Sequence, residues 1–449
     1  MSEVSNTHNK GSRDLKSKEL ADFSFQRSQI PEVSDAWLRE YRQNAWDAYE
    51  ALPFPRMTDE AWRRTDIRDL QTNSFSLDRQ KQSTLPPTRY LAPIISDEEH
   101  GGQIITGAID TMIRLDPSLR EKGIIFTDLR TAEREHPDLL QKMLGQIIKP
   151  DEDKFSALAA SLAEDGVFLY VPKNVKIDQP LHSLYWGSGW GHAFINHIIV
   201  WVSEGAEITF VHESASFSED NGHQIFHDGL VELYVGRNAR LNFVELQSWG
   251  ENVWSFTRER AKVHGDGRLE WVAGAMGTRL TKNFSDIDLI EPGATARMSG
   301  FYFTNDHQHF DLDTQQNHMA PNTTSDLLYK GALADKSRSI WQGMIYVAPG
   351  AIGTDGYQSN RNLILTKGAH ADSIPGLEIL ADDVRCTHGA TVGKIDEDEI
   401  FYLLSRGIPR REAEELIVTG FFDPIMARIP FEGIQKRFKE AIQEKMADR

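Results

Sequence analysis

The chain has 449 residues, 40% hydrophobic and 26% charged, a balance typical of a soluble globular protein with two or three domains. Its formal net charge of −18 argues against nucleic acid or an anionic membrane as main partner, because phosphate binding needs clustered Lys and Arg. One cysteine excludes an internal disulfide, and the apolar runs are too short to span a bilayer. We expect a cytoplasmic protein.

The sequence of the N-terminal third predicts a disordered tail followed by a mixed α/β region. Residues 1–33 are predicted to be a disordered tail, because their first part mixes charges without an apolar block. A helix is expected to begin at Ser34 as N-cap and to end before Pro53. Short helical and strand patterns then alternate, so residues 34–165 are predicted to form an N-terminal helical or mixed α/β region.

Residues 166–394 read as short strands without helices between them. Glycine turns at Gly205, Gly236, Gly265 and Gly293 are spaced 28 to 31 residues apart. A regular turn followed by a strand is typical of a solenoid, since parallel strands joined by helices need about ten or more residues between them. The pattern favours a stacked β-helix and leaves a β-sandwich open.

Residues 395–449 carry a purely helical pattern. The first helix is expected to begin at a capping box of Asp396 and Glu399, and the second to run from Pro409 to Gly420. These helices have too little core to fold alone. We therefore expect them to pack on the β region or on a partner.

Cys386 and His388 are the candidate site, because alternation places them on one face of a predicted strand. One reading is a small core cysteine beside a buried, hydrogen-bonded histidine. The other is a thiolate and an imidazole that bind zinc, copper or iron. A mononuclear metal site or an iron–sulfur cluster needs about four protein ligands. With a single cysteine, a cluster would have to be shared with another subunit.

Other histidines give weaker signals. His307, His309 and His318 lie close enough in sequence for a metal site. His223 and His227 have the spacing of zinc ligands without the adjacent glutamate that zinc proteases use, and we expect loop and surface positions for them. No phosphate-binding loop and no nucleophile elbow is present, so the sequence gives no signal of a nucleotide hydrolase or serine esterase.

The segment Val384-Arg-Cys-Thr-His-Gly-Ala-Thr-Val-Gly393 resembles the signature of the SufB/SufD family of iron–sulfur cluster assembly proteins. Three further segments are similar to motifs of that family, at residues 53–66, 357–362 and 401–408. Within the family the chain is more similar to the SufD branch. Thr387 and Gly389 stand where SufB-type chains carry acidic residues.

This resemblance implies a mainly β fold, with a right-handed parallel β-helix core, an N-terminal α/β region and a C-terminal helical domain. It implies a non-enzymatic scaffold in a SufBCD complex, paired with a SufB-like subunit through the β-helix. His388 would face a transient iron–sulfur cluster at the partner interface, with Cys386 as a weaker second group. The family's complex is also linked to flavin, although no flavin motif is readable here.

A SufC-like ATPase would dock on the C-terminal helices. The face expected to pack these helices and support docking contains Phe401, Leu404, Leu416 and Ile417. Two alternatives stay open within the family, namely a SufB-type scaffold and a homodimer of this chain. A third, from a different class, is a β-helix enzyme that acts on polysaccharide through carboxylates in a surface groove.

Overall fold

The computed structural model of the chain describes residues 20–78, 86–87, 100–107, 111–187, 191–217, 222–429 and 432–447. Within them the fold is mainly β, with two large sheets and α-helices toward both ends of the chain. None of the described helices is long and apolar enough to cross a membrane. Residues 1–19 of the predicted tail lie outside the described residues.

The N-terminal region is mixed α/β, as predicted. Its helices are α1 (Ala36–Ala51), α2 (Pro117–Glu121), α3 (Leu129–Glu135), α4 (Pro137–Met143) and α5 (Lys154–Leu162). The side chain of Asp35 accepts a hydrogen bond from the Trp37 amide, so Asp35 and not Ser34 is the N-cap of α1.

The described residues contain nineteen strands. They are β1 (Gly102–Thr106), β2 (Met112–Leu115), β3 (Ile125–Asp128), β4 (Asp165–Val171), β5 (Leu181–Gly187), β6 (Ala193–Val202), β7 (Glu207–Ser216), β8 (Ile225–Val235), β9 (Arg240–Ser248), β10 (Val253–Val263), β11 (Arg268–Ala275), β12 (Leu280–Leu289), β13 (Thr295–Thr304), β14 (His309–His318), β15 (Thr324–Leu333), β16 (Arg338–Val347), β17 (Asp355–Ile364), β18 (His370–Ile379) and β19 (Arg385–Lys394).

From β4 onward the strands alternate between two sheets. The first sheet has the order β19-β17-β15-β13-β11-β9-β7-β5-β1-β2, and the second has the order β18-β16-β14-β12-β10-β8-β6-β4-β3. Neighbours pair in parallel except for β1 with β2 and β3 with β4, which are antiparallel. Thr257 and Asn283, which are hydrogen-bonded across the parallel strands β10 and β12, are 26 residues apart in the chain. The fold is therefore a parallel β-solenoid, which confirms the stacked β-helix over the sandwich.

The glycine turns close the coils. Gly205, Gly293 and Gly350 have φ angles of 68°, 78° and 82°. Glycine adopts this left-handed conformation without the steric penalty that a Cβ atom brings. In the turns of Gly236 and Gly265 the left-handed residues are instead Asn238 and Asp266, with φ angles of 53° and 54°.

Three hydrophobic layers hold the solenoid together. Between the sheets lie buried side chains such as those of Phe243, Trp271 and Trp341. On the outer face of the second sheet, Phe155 of α5 stacks on Phe256 of β10 with 4.3 Å between ring centroids. The C-terminal helices cover the outer face of the first sheet. Both helical regions are thus fixed to the solenoid by burial of apolar surface.

Two phenylalanines correct the predicted extent of the N-terminal tail. Phe23 and Phe25 are 5% and 7% exposed, and the Phe23 ring lies 4.5 Å from the ring of Phe226 on β8. Burying an aromatic ring contributes about 1.5–3 kcal/mol, which orders an otherwise polar segment. The prediction of disorder up to residue 33 is therefore wrong for residues 20–33.

The C-terminal helices are α6 (Glu397–Ser405), α7 (Arg410–Met426) and α8 (Glu432–Ala447). Asp396 caps α6 by accepting a hydrogen bond from the Asp398 amide at 2.8 Å. Helix α7 does not end at Gly420 as predicted. It continues to Met426, because Val418, Phe422 and Ile425 form an apolar stripe that is buried against the first sheet.

Candidate functional site

Strand β19, which carries Cys386 and His388, ends the order of the first sheet in the described chain. It pairs in parallel with β17, so that Cys386 lies beside Gly356 and His388 beside Gln358. Cys386 packs against a buried cluster that includes Ile345 of the opposite sheet. Because side chains two residues apart share a face of a strand, both residues point to the interior face of the solenoid.

The thiol of Cys386 is half-buried and not activated. Burial raises its pKa above the ordinary value, the nearby Asp355 carboxylate acts in the same direction, and a hydrogen bond with the Gly356 backbone opposes both. A raised pKa keeps the thiol protonated at neutral pH, whereas the thiolate is the form that binds metals.

His388 lies at the open end of the solenoid, which we define as the interior face of β18 and β19. The interior-facing side chains of Leu377, Ile379 and Val392 are 36%, 39% and 50% exposed, because no described coil covers them. His388 is exposed as well. The reading of His388 as a buried core histidine is therefore wrong.

Beneath the open end lies a layer of buried amides from β17. Gln358, Asn360 and Asn362 face inward and are at most 4% exposed. Asn362 donates a hydrogen bond to Asn360 Oδ1 at 2.6 Å, and Tyr302 donates to Asn362 Oδ1 at 2.6 Å. Ser373 of β18 donates to Asn360 Oδ1 at 2.5 Å. The polar segment 357–362 is therefore a strand whose inward amides join the two sheets below His388.

We expect Gly343→Ala to lower the free energy of unfolding by about 1–3 kcal/mol, since overpacking a core has that cost. A Cβ atom at Gly343 would lie 2.3 Å from Trp341 and 2.4 Å from Gln358 Oε1. Gly420→Ala is the matched control, because its Cβ meets nothing within 4 Å. In the interior of α7 it should stabilise by about 1 kcal/mol. Urea denaturation of both variants measures the two changes in the free energy of unfolding. Equal changes in Gly343→Ala and Gly420→Ala would contradict the prediction.

The remaining histidines do not form a metal site. His307 is exposed beside Asp306, whereas Thr65 Oγ1 lies 2.9 Å from Nε2 of the half-buried His309. His318 is buried elsewhere, between Thr323 and Ser325. Among the residues described, no group of three or more His, Cys, Asp and Glu side chains could hold a metal ion. The metal site suggested by this spacing is therefore not formed.

His227 corrects a second expectation. It is 3% exposed, and its ring nitrogens lie 2.8 Å from Ser255 Oγ and 3.1 Å from Asn196 Oδ1. Burial lowers its pKa to about 3, so the ring is neutral. The surface position expected for His227 is therefore wrong, because β8 turns this residue into the solenoid.

A buried lysine was missed by the sequence reasoning. The side chain of Lys282 on β12 is 0% exposed and lies 3.0 Å from Asp311 Oδ2, and it also binds Asp313. It donates a hydrogen bond to the carbonyl of Ala61 at 2.6 Å. Thr65 hydrogen-bonds Asp311. The segment 60–66 thus closes over this lysine and fixes the N-terminal region to the second sheet.

A groove of about 990 Å³ lies beside that segment on the outer face of the second sheet. Its carboxylates include Asp286, Asp288 and Asp313. Arg260 pairs with Asp286 at 2.8 Å, and burial raises the pKa of Asp313 to about 6. Asp286 and Asp288 lie two residues apart on β12, and Asp313 lies on the neighbouring β14, so only the fold brings the third carboxylate to the other two.

The four residues expected to pack the C-terminal helices and to support docking are mostly exposed. Phe401, Leu404 and Leu416 are 71%, 40% and 53% exposed, and Ile417 is partly exposed. The helices pack through other residues, among them the fully buried Phe422. The expectation that the first three pack the helices is therefore wrong. Their exposure leaves an apolar surface on α6 and α7.

The open end can offer one imidazole and one thiol. An iron–sulfur cluster or a closed metal site takes about four protein ligands. A cluster held at the open end would thus need ligands from a second chain.

Comparison with known proteins also indicates a protein of iron–sulfur cluster assembly. Residues 185–421 match the family described as SUF system FeS cluster assembly, SufBD core domain, and residues 16–182 match the SufBD protein N-terminal region. The iron-sulfur cluster assembly protein SufD of Bacillus subtilis is 30% identical over 92% of this chain and 94% of its own length.

A second relative is an iron-sulfur cluster assembly SufBD family protein of Staphylococcus epidermidis. It is 31% identical over 71% of this chain and 68% of its own length. The two family matches together span the N-terminal region, the solenoid and much of the C-terminal helices. The chain belongs to the SufBD family of iron–sulfur cluster assembly proteins, as a homologue of SufD.

Proposed function

We propose that this chain is a non-catalytic scaffold subunit of a SufBCD-type complex, working in the cytoplasm. The observation that carries the proposal is the open end, where His388 is exposed on the interior face of an edge strand. An exposed imidazole is a ready ligand for iron. The cluster is the cargo of this scaffold, held transiently and passed on.

The edges of β18 and β19 support a SufB-like subunit as the partner at the open end. Unpaired strand edges present free backbone donors and acceptors, and native proteins cover them or pair them. The exposed apolar side chains of Leu377, Ile379 and Val392 add surface that gains from burial. A second chain seated there would bring the remaining ligands next to His388 and Cys386.

The apolar surface on α6 and α7 supports docking of a SufC-like ATPase. Phe401 and Leu416 project from two adjacent helices that are held together by an Arg410–Glu397 ion pair at 2.7 Å. A rigid helical surface with exposed aromatic and aliphatic side chains is typical of a protein interface. Flavin in the full complex stays a prediction from the family resemblance.

The test is co-expression of this chain with SufB-like and SufC-like partners. Wild-type and His388→Ala chains should copurify equally with both partners, because His388 is exposed and contributes nothing to the core. The His388→Ala complex should lack the iron, sulfide and visible absorption of a cluster. Failure to copurify, or normal cluster content in the variant, would contradict the proposal.

Two alternatives give different results. A SufB-type or homodimeric scaffold would form clusters without the SufB-like partner, which the same purification reveals. The groove lined by Asp286 and Asp288 is where a polysaccharide would bind in the enzyme alternative, so cleavage of polysaccharide by the isolated chain is the test of that alternative. Cleavage that is lost in Asp288→Asn would point to the enzyme. We expect no cleavage.

A further inference from the structure

Gln358 is the closest neighbour of His388 in the sheet, directly beneath it in the parallel register. Side chains at paired positions of neighbouring strands stack about 4.8 Å apart, within reach of a hydrogen bond between an amide and an imidazole. Gln358 is 0% exposed, whereas His388 faces the open end. One side chain is thus fixed by its surroundings, and the other is free to turn.

The carboxamide of Gln358 has a defined orientation. Its Nε2 donates to the carbonyls of Gly376 on β18 at 2.9 Å and Gly343 on β16 at 3.3 Å, both in the second sheet. The opposite orientation would place Oε1 against these carbonyl oxygens, which cannot donate. The space for the amide exists because Gly343 has no side chain, since a Cβ there would lie 2.4 Å from Oε1.

Fixing Nε2 leaves the other end of the amide without a partner. Gln358 Oε1 is buried, and it accepts no hydrogen bond from any of the residues described. A buried acceptor without a donor costs about 1–3 kcal/mol, so such groups need an explanation. His388 likewise makes no hydrogen bond within the described chain. Gln358, whose Oε1 lacks a donor, is therefore the strand neighbour of an imidazole that makes no hydrogen bond within the described chain.

We propose that Gln358 is a positioning residue for His388. Its Oε1 accepts a hydrogen bond from one ring N–H of His388, which fixes the tautomer and leaves the lone pair of the other ring nitrogen directed at the open end. Metal-binding histidines commonly donate their second ring nitrogen to a carbonyl or carboxylate in this way. The inference rests on the proposed role of His388 as a cluster-facing ligand.

The first test is the tautomer of His388 in the full-length chain, free of metal and partners. Selective ¹⁵N labelling of histidine distinguishes the two ring nitrogens by their chemical shifts, and His388→Ala assigns the signals. We expect one tautomer in the wild type and a mixture in Gln358→Leu. A mixture in the wild type overturns the proposal without any variant.

Gln316→Leu is the matched control. Gln316 is also a buried amide facing the solenoid interior, 1% exposed with an unpartnered Nε2, but its strand neighbours are Ile287 and Ile345. The Gln316→Leu variant should leave the His388 tautomer unchanged. If Gln358→Leu fails to fold, Gln358→Met removes the same acceptor from an unbranched side chain of similar length.

The second test is cluster content in the co-expressed complex. Loss of an orienting group costs about 10- to 100-fold in metal affinity, so Gln358→Leu should lower cluster content while Gln316→Leu does not. Equal content in both variants overturns the positioning role. Normal clusters in His388→Ala would instead overturn the proposed function, and the tautomer measurement stands independently of that outcome.

Discussion

Lys282→Met is expected to lower the free energy of unfolding by about 3–5 kcal/mol, the range found when one partner of a buried ion pair is removed. Met has nearly the same length, so the change removes charge and donors with little loss of volume. Asp311, whose side chain is 0% exposed, would keep its charge without the ammonium group 3.0 Å away. The carbonyl of Ala61 would also lose its donor.

The loss of stability in Lys282→Met should grow as pH rises. Burial raises the pKa of Asp313 to about 6, and Lys282 opposes that rise. Without Lys282 the pKa of Asp313 in the folded state rises further above its unfolded value. A raised carboxyl pKa means that the folded state binds more protons, so stability falls as pH increases. The difference in the free energy of unfolding between Lys282→Met and the wild type should therefore be larger at pH 8 than at pH 5.

Lys173→Met is the control for this variant. Lys173 pairs with Glu204 at 2.9 Å, but its side chain is 68% exposed, and such surface pairs contribute about 0–1 kcal/mol. Urea denaturation of both variants at the two pH values gives the comparison. If Lys282→Met is no less stable than Lys173→Met, the buried network does not hold the N-terminal region to the solenoid.

The sequence was sufficient for elements whose signals are local. The glycine turns and the helix caps depend on one or a few adjacent residues, and Gly205, Gly293 and Asp396 have the predicted roles. The layer of inward amides on β17 was not predicted, because polar residues give no apolar alternation. Gln358 and Asn360 are paired with groups from other coils, and that pairing cannot be seen from alternation alone.

The candidate site was predictable to the same degree. Alternation indicated that Cys386 and His388 share a face, and the register agrees. The exposure of His388 depends on whether another coil follows β19, which is a property of the whole fold. Lys282 was invisible for a similar reason, since its partners Ala61 and Asp311 lie far away in the sequence.

The double variant Phe401→Ala/Leu416→Ala is expected to weaken binding of the SufC-like ATPase about 30-fold or more. Truncating aromatic and aliphatic anchors near the centre of an interface costs about 2 kcal/mol or more of binding free energy, and the costs of neighbouring anchors do not simply add. The fold should be unaffected, because these side chains are 71% and 53% exposed in the isolated chain. The dissociation constant for the purified ATPase and the unfolding midpoint of the variant are the two measurements.

Two comparison variants separate docking from folding. Phe422→Ala truncates a fully buried ring of α7 and should cost about 3–5 kcal/mol of stability, with binding lost only as the helices unfold. Met57→Ala removes a side chain that is 44% exposed in the N-terminal region, and it should change neither quantity. Unchanged affinity in the double variant would place the ATPase on a different surface, since α6 and α7 would then contribute no anchor.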